Sequence, residues 1–270
     1  MIERMSIELT NRCSKACWFC YNESRPSGAS TWSVAEVVSF IGDCARSGLR
    51  AVSFGGGEPL EYEGVLDILE QLRGTLFRSV TTNGLLLDRD RLDALVAVAP
   101  DKVHVSIHFP GRQAEVSRVI EQVSTLESRG IRSGVNLLVA RSALAAAEAA
   151  ASALRAAGIG NDRIVYLPMR ARDTPTPGEL ARVAGGTALF QSMTCLPACA
   201  KSKRFCSISW DRMVGWCSYT RARRALGSLS YAALEQALDG LGLEFCGGNN
   251  ELVRLSRRPL DGHGMVRGRP

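Results

Sequence analysis

The segment MSIELTNRCSKACWFC, Met5 to Cys20, runs from a candidate strand straight into three cysteines, Cys13, Cys17 and Cys20. No further cysteine follows until Cys44. A disulfide framework wants pairs, and a structural zinc site wants four ligands. Three thiols leave one coordination position open. Thiolates ligate soft iron or zinc, and cysteines this close on one loop can hold three corners of an iron–sulfur cube. The competing reading is a zinc knuckle that borrows a distant fourth ligand.

Outward from this segment, short apolar runs alternate with helical patterns. Candidate strands are MSIEL, AVSF (51–54), RSVTT (78–82), KVHVSI (102–107), SGVNLLV (133–139) and RIVYL (163–167). Amphipathic stretches lie between them at 33–48 and 114–130, and the alanine-rich stretch 142–158 reads as a packed helix. Gly48, Gly130 and Gly158 sit where helices end on a left-handed residue. Repeated βα units predict an α/β protein whose parallel sheet is wound as a partial (β/α)6 TIM-like barrel. In such barrels the chemistry sits at the carboxyl ends of the strands, and the first cysteines follow the first strand directly.

The pattern stops near Pro168, and MRARDTPTPGEL reads as a linker. The expected division is a barrel over 1–175, a cysteine-rich appendage over 176–253 and a basic, disordered tail over 254–270. The chain of 270 residues carries a net charge of +6. Five arginines and one aspartate from Arg254 onward account for +4 of that, leaving the body close to neutral. A solvated tail explains this better than a nucleic-acid-binding arm. With no signal-peptide core and no long apolar run, the expectation is a cytoplasmic protein without a membrane partner. Nine cysteines in that compartment point to metal or redox duty.

Three further motifs close successive candidate strands. SFGGGEPL (53–60) brings Gly56, Gly57 and Glu58; three consecutive glycines permit positive φ and close backbone approach. No Gly-Lys-Ser/Thr follows, which excludes a phosphate loop. TTNG (81–84) brings Asn83, and HVSIHFPG (104–111) puts His104, Ser106 and His108 on one strand face. Together with C-x3-C-x2-C, these motifs resemble the radical S-adenosylmethionine (radical SAM) family over about residues 5–170.

The resemblance implies that Cys13, Cys17 and Cys20 bind three irons of a [4Fe–4S] cluster whose fourth iron takes the amino and carboxylate groups of SAM. It implies SAM contacts at Gly56, Gly57, Glu58, Asn83 and Ser106, and an arginine, Arg118, for the methionine carboxylate. His108 stands where many relatives carry an acid. An external electron donor such as a flavodoxin or ferredoxin is implied as well.

A second set, Cys195, Cys199, Cys206 and Cys217, precedes Cys246. Here SISWDRMVGWC resembles the strand-turn-strand of the family's auxiliary-cluster appendage (twitch or SPASM type), implying a second [4Fe–4S] cluster. Cys44 reads as packing. Either the compact four are the ligands and Cys246 is a free thiol, or Cys246 is a ligand and Cys206 is spare; the first is preferred. The resemblance then implies a small polyhydroxylated substrate, such as an aminoglycoside or aminocyclitol of antibiotic biosynthesis. Epimerisation is favoured, with Cys246 as hydrogen donor. Dehydrogenation and peptide maturation are the alternatives, and a non-catalytic iron–sulfur or zinc module is the reading from another class.

Overall fold

The computed structural model describes residues 1–186, 196, 202, 204–244 and 246. Cys195, Cys199 and the tail 254–270 lie outside the described residues.

Six parallel strands form the body of an α/β fold: β1 (Arg4–Thr10), β2 (Ala51–Gly56), β3 (Phe77–Thr82), β4 (Lys102–Ile107), β5 (Ser133–Val139) and β6 (Ile164–Pro168). Each pairs with its predecessor in sequence order, as βα crossovers dictate. The result is the partial TIM-like barrel that the alternation predicts. The connecting helices are α1 (Val34–Arg46), α2 (Val65–Gln71), α3 (Arg89–Val98), α4 (Gln113–Ser128) and α5 (Leu144–Ala156).

α1 shows why these segments fold as they do. Ser33 accepts from the Glu36 amide while Glu36 reaches back to the Ser33 amide, so two orphan donors are satisfied at once. Val37, Phe40, Ile41 and Cys44 recur at helical spacing and are buried. Gly48, at φ +108°, then turns the chain where an L side chain would be strained. α5 does the same with small residues: Ala147, Ala150, Ala151 and Leu154 form its buried face. Each large apolar side chain sealed in this layer contributes about 1.5–3 kcal/mol.

The segment read as a linker contains α6 (Pro177–Val183), opened by a Thr176–Glu179 capping box with Pro177 at the first helical position. Beyond it, β7 (Phe205–Ile208) lies parallel to β1 on the edge opposite β2. β8 (Met213–Gly215) and β9 (Arg224–Ala225) then add antiparallel. The strand-turn-strand expected of SISWDRMVG is present, and it extends the same sheet. α7 (Tyr231–Leu238) covers this edge, and its Tyr231 hydroxyl accepts from the Ile2 amide at 3.0 Å.

Alternation along β1 sets the two faces of the sheet. Met5, Ile7 and Leu9 enter the apolar core with Phe40 and Ile41 of α1. Ser6, Glu8 and Thr10 take the inner face.

Candidate active site

The loop after β1 is closed at its base. Asn11 Oδ1 accepts from the Ala29 amide at 2.7 Å, and the Arg25 amide bonds the Asn11 carbonyl at 3.0 Å. The loop is then held from its surroundings. The Ser14 amide donates to Glu61, Lys15 Nζ bonds Glu115, Asn83 Nδ2 points at the Cys13 sulfur, and the Glu58 amide donates to the Arg12 carbonyl. Ala16 and Glu23 adopt positive φ within it.

The β2 end packs against this loop as closely as backbone allows. A Cβ on Gly57 would lie 2.0 Å from the Arg12 carbonyl oxygen, and Gly56 sits at φ +112° against the Thr10 carbonyl. Glu58 is sealed from solvent. Its carboxylate accepts from Thr82 Oγ1 (2.7 Å), the Asn83 amide (2.7 Å) and the Leu60 amide (3.1 Å). Burial raises its pKa to about 7 despite these donors. In this structure the acid welds the end of β2 to the end of β3.

Asn83 is the hinge of the arrangement. Its amide lies 3.6 Å from Cys13 Sγ, and its carbonyl accepts from Arg118 Nη1 at 3.2 Å. Gln122, one turn beyond Arg118, bonds the Gly84 carbonyl at 2.7 Å and takes a second bond from Arg118. The structure therefore brings Cys13, Asn83, Glu58 and Arg118 together, as the motif order implies. Ser106 is buried on the inner face of β4, paired with Asn136.

Two residues that the motif reading did not single out matter here. Lys15 and Glu115 form a buried ion pair at 2.7 Å, and Glu115 also accepts from the His108 amide at 2.7 Å. The pair ties the cysteine loop to the start of α4. His108 lies beside Phe19, with ring centroids 6.1 Å apart, and its buried Nδ1 has no partner. Burial lowers the pKa of both His104 and His108 to about 4, so both rings are neutral near pH 7.

The donor set suits a cubane. Burial pushes the Cys17 thiol up to about 11, Lys15 opposes that rise, and the Asn83 amide backs Cys13. A soft metal centre supplies the positive charge such thiolates need. Among the described residues no three His, Cys, Asp or Glu side chains converge as ligands of a single ion.

The second cysteine set divides. Cys206 is the residue of β7 paired with Met5; it is fully buried in the apolar core, its thiol pushed far up by burial and facing Cys44. Cys217 follows β8, its Sγ accepting from the Tyr219 amide at 3.5 Å. Thr220, three residues on, accepts from the Glu244 amide at 3.3 Å, and Trp216 Nε1 bonds the Leu241 carbonyl at 3.2 Å. The segment Leu241–Glu244 is thus laid along the Cys217 loop. The Cys246 carbonyl in turn accepts from the Ala171 amide, just past the carboxyl end of β6.

Cysteine loop, glycine-rich strand end and arginine-backed turn converge at the carboxyl ends of a partial parallel barrel, and the sequence model of the Radical SAM superfamily matches residues 7–173. The chain belongs to the radical SAM superfamily. Its curated relatives include the probable GTP 3′,8-cyclase of Methanocella arvoryzae, 38% identical over 109 residues, which are 39% of this chain and 34% of that protein. The GTP 3′,8-cyclase of Chlorobaculum tepidum is 32% identical over 115 residues, 42% of this chain and 34% of the relative. The chain thus matches about a third of the length of these relatives. Among solved structures, Streptococcus suis SuiB bound to S-adenosylmethionine superposes with TM-score 0.61 at 13% identity, over 80% of this chain and 60% of that one. Native anSMEcpe with bound AdoMet gives TM-score 0.61 at 14% identity, over 87% and 80%. These likenesses show the fold. No helix among the described residues is long and apolar enough to cross a membrane.

Proposed function

We propose that this chain reductively cleaves S-adenosylmethionine and directs the resulting radical at a C–H bond of a small polyhydroxylated molecule. The observation that carries this is the meeting of Cys13, Asn83, Glu58 and Arg118 at adjacent strand ends. When bound on Cys13, Cys17 and Cys20, a [4Fe–4S] cluster supplies the electron that breaks the sulfonium S–C5′ bond. The chain's residues orient the reactants. Arg118 is the planar fork for the methionine carboxylate. Glu58 holds the ends of β2 and β3 in register beside the cysteine loop, and Ser106 lines the floor.

For the second cluster we assign Cys217 and Cys246, with Cys195 and Cys199, and leave Cys206 to the core. The Thr220–Glu244 bond beside Cys217 supports this choice. With Cys246 a ligand, the remaining described thiols, Cys44 and Cys206, are both sealed in the core. Oxidation of the substrate then fits better than epimerisation: an auxiliary iron–sulfur centre held by these cysteines would supply an acceptor for the second electron as the substrate loses its proton. Epimerisation, with Cys246 as hydrogen donor, remains the second reading because its carbonyl meets Ala171 at the barrel mouth. The similarity to GTP 3′,8-cyclases covers under half of this chain, and the buried acid on the inner face suits a triphosphate poorly.

Anaerobic reconstitution tests the scheme. Two cubanes and formation of 5′-deoxyadenosine are expected in the wild type. Cys246→Ala should lose about one cubane of iron while Cys206→Ala keeps both. A Cys246→Ala protein that keeps both clusters, cleaves SAM and no longer incorporates solvent deuterium restores epimerisation. Zinc near one equivalent with no SAM cleavage rejects the proposal entirely.

A further inference from the structure

The interior of a parallel barrel is ordinarily filled by stacked branched apolar side chains. This sheet is different. On its inner face Ser207, Ser6, Ser53, Ser79 and Lys102 pair strand to strand in one unbroken row. The row above it pairs Glu8 with Gly55, Thr81 with His104, and His104 with Gly134. Above that, Ser106 pairs with Asn136. None of these is an apolar branched residue; the face turns apolar only towards β6, where Val165 pairs with Asn136 and Leu167 with Leu138, so its β1–β4 part is built for a polar guest.

Within it one group stands out. Glu8 is 1% exposed; the Tyr21 phenol and the Trp210 backbone bond its carboxyl and Arg223 lies near it, yet its Oε1 has no hydrogen-bond partner. A buried carboxylate oxygen left unpaired costs free energy that folding alone has no reason to retain. Its strand neighbour, Gly55, has open space where a side chain would stand: an added Cβ would meet nothing within 4 Å. Glu8 and the open space are therefore neighbours across the β1–β2 pair. His104, in the same row, also carries a buried unpaired nitrogen, Nε2, and is neutral.

We propose that Glu8 anchors a protonated amine of the substrate, seated over Gly55 on the serine-lined floor, so that the substrate class is an aminated polyhydroxylated ring. The amine gives Glu8 Oε1 the donor it lacks and adds its charge to that of Arg223, and ring hydroxyls meet His104, Thr81 and the serines. This rests on the reading of the chain as a radical SAM enzyme with a small polar substrate.

The test uses the anaerobically reconstituted full chain with SAM, and two matched probe pairs: scyllo-inosamine with scyllo-inositol, and glucosamine with glucose. Binding is read by ligand-observed NMR titration at neutral pH. A charge-assisted bond predicts that in at least one pair the amine binds about tenfold tighter or more than its hydroxyl counterpart. Glu8→Gln should erase that preference, and Glu8→Asp, which keeps the charge on a shorter arm, should retain part of it. Equal binding within both pairs, absence of binding by all four probes, or a preference that survives Glu8→Gln overturns the assignment. SAM cleavage without substrate judges the underlying activity separately. A wild type that cleaves SAM but shows no amine preference rejects Glu8 alone, whereas one that prefers amines but cleaves no SAM rejects the activity and keeps the anchor.

Discussion

Lys15 and Glu115 meet at 2.7 Å across 100 residues of chain, each side chain only 8% exposed. One belongs to the cysteine loop and the other to the first turn of α4, so the pair sets the loop on the barrel. Removing one partner of a buried pair strands the other, at a typical cost of about 3–5 kcal/mol. Lys15→Met and Glu115→Gln should each lower stability by roughly that order, and the double variant should cost clearly less than the sum. Urea unfolding of all four proteins gives the coupling. Strict additivity would mean the two side chains do not act as a pair.

Asn83 should tune the cluster it backs. Amide donors to a cluster sulfur stabilise the more reduced, more negative state, and such hydrogen bonds are among the determinants of potential. Asn83→Leu removes the donor 3.6 Å from Cys13 Sγ. The midpoint potential of the SAM-site cluster should move to more negative values in redox-poised EPR titration. An unchanged potential would show that the amide serves the turn at Gly84 alone.

Two of the three glycines, Gly55 and Gly57, should separate by function. Gly57→Ala drives a methyl group to within 2.0 Å of the Arg12 carbonyl oxygen, and backbone there cannot yield without displacing the cysteine loop. Strong destabilisation, together with poor iron retention, is expected. Gly55→Ala meets open space, so the unfolding free energy should move by no more than about 0.5 kcal/mol. The new methyl group instead occupies the space beside Glu8, and amine-probe binding should weaken. A Gly55→Ala protein as unstable as Gly57→Ala would contradict this division.

Arg118→Ala should weaken SAM binding by one to two orders of magnitude, roughly what a charge-assisted pair to a carboxylate contributes. Arg118→Lys should restore only part, because the planar fork is lost. Its Nη1 also holds the Asn83 carbonyl at 3.2 Å, so an equilibrium titration of SAM should be accompanied by a stability measurement. Unchanged SAM affinity in Arg118→Ala would place the carboxylate partner elsewhere.

Much of this was written in local pattern. All six barrel strands and the helices ending at Gly48, Gly130 and Gly158 follow from periodicity and punctuation. α6 carried its own signal, Thr176-Pro177 with Glu179 at the capping-box position, masked by the proline-rich run around it. Pairing of β7 with β1 joins positions some two hundred residues apart, and no local pattern encodes that. Cys206 illustrates the consequence. Proximity in sequence groups it with Cys217, but strand alternation turns it with Ile208 into the core. Lys15 and Glu115 are unremarkable alone and become a pair only through the fold. Glu8 was legible as an acid in the middle of an apolar strand, though only the structure shows its unpaired oxygen.

Glu8 also makes a prediction about pH. Burial raises its pKa from 4.5 to about 7; the nearby Asp211 adds to the rise, while Arg223, the Tyr21 phenol and the Trp210 backbone oppose it. A carboxyl whose folded pKa is raised holds its proton more tightly in the folded chain. Its contribution to stability is therefore present below about 4.5 and lost as pH climbs towards 7. A shift of this size corresponds to roughly 3 kcal/mol. Glu58, also raised to about 7, acts in the same sense, whereas His104 and His108, lowered to about 4, lose stability in the opposite direction as pH falls below 6.5. The wild-type curve is thus a composite, and the difference between wild type and Glu8→Gln isolates the one group. Measured by urea unfolding without substrate, the variant should gain stability relative to wild type between pH 5 and pH 8. A difference that stays flat across that range would mean Glu8 titrates near its ordinary value, with its carboxylate already compensated within the protein.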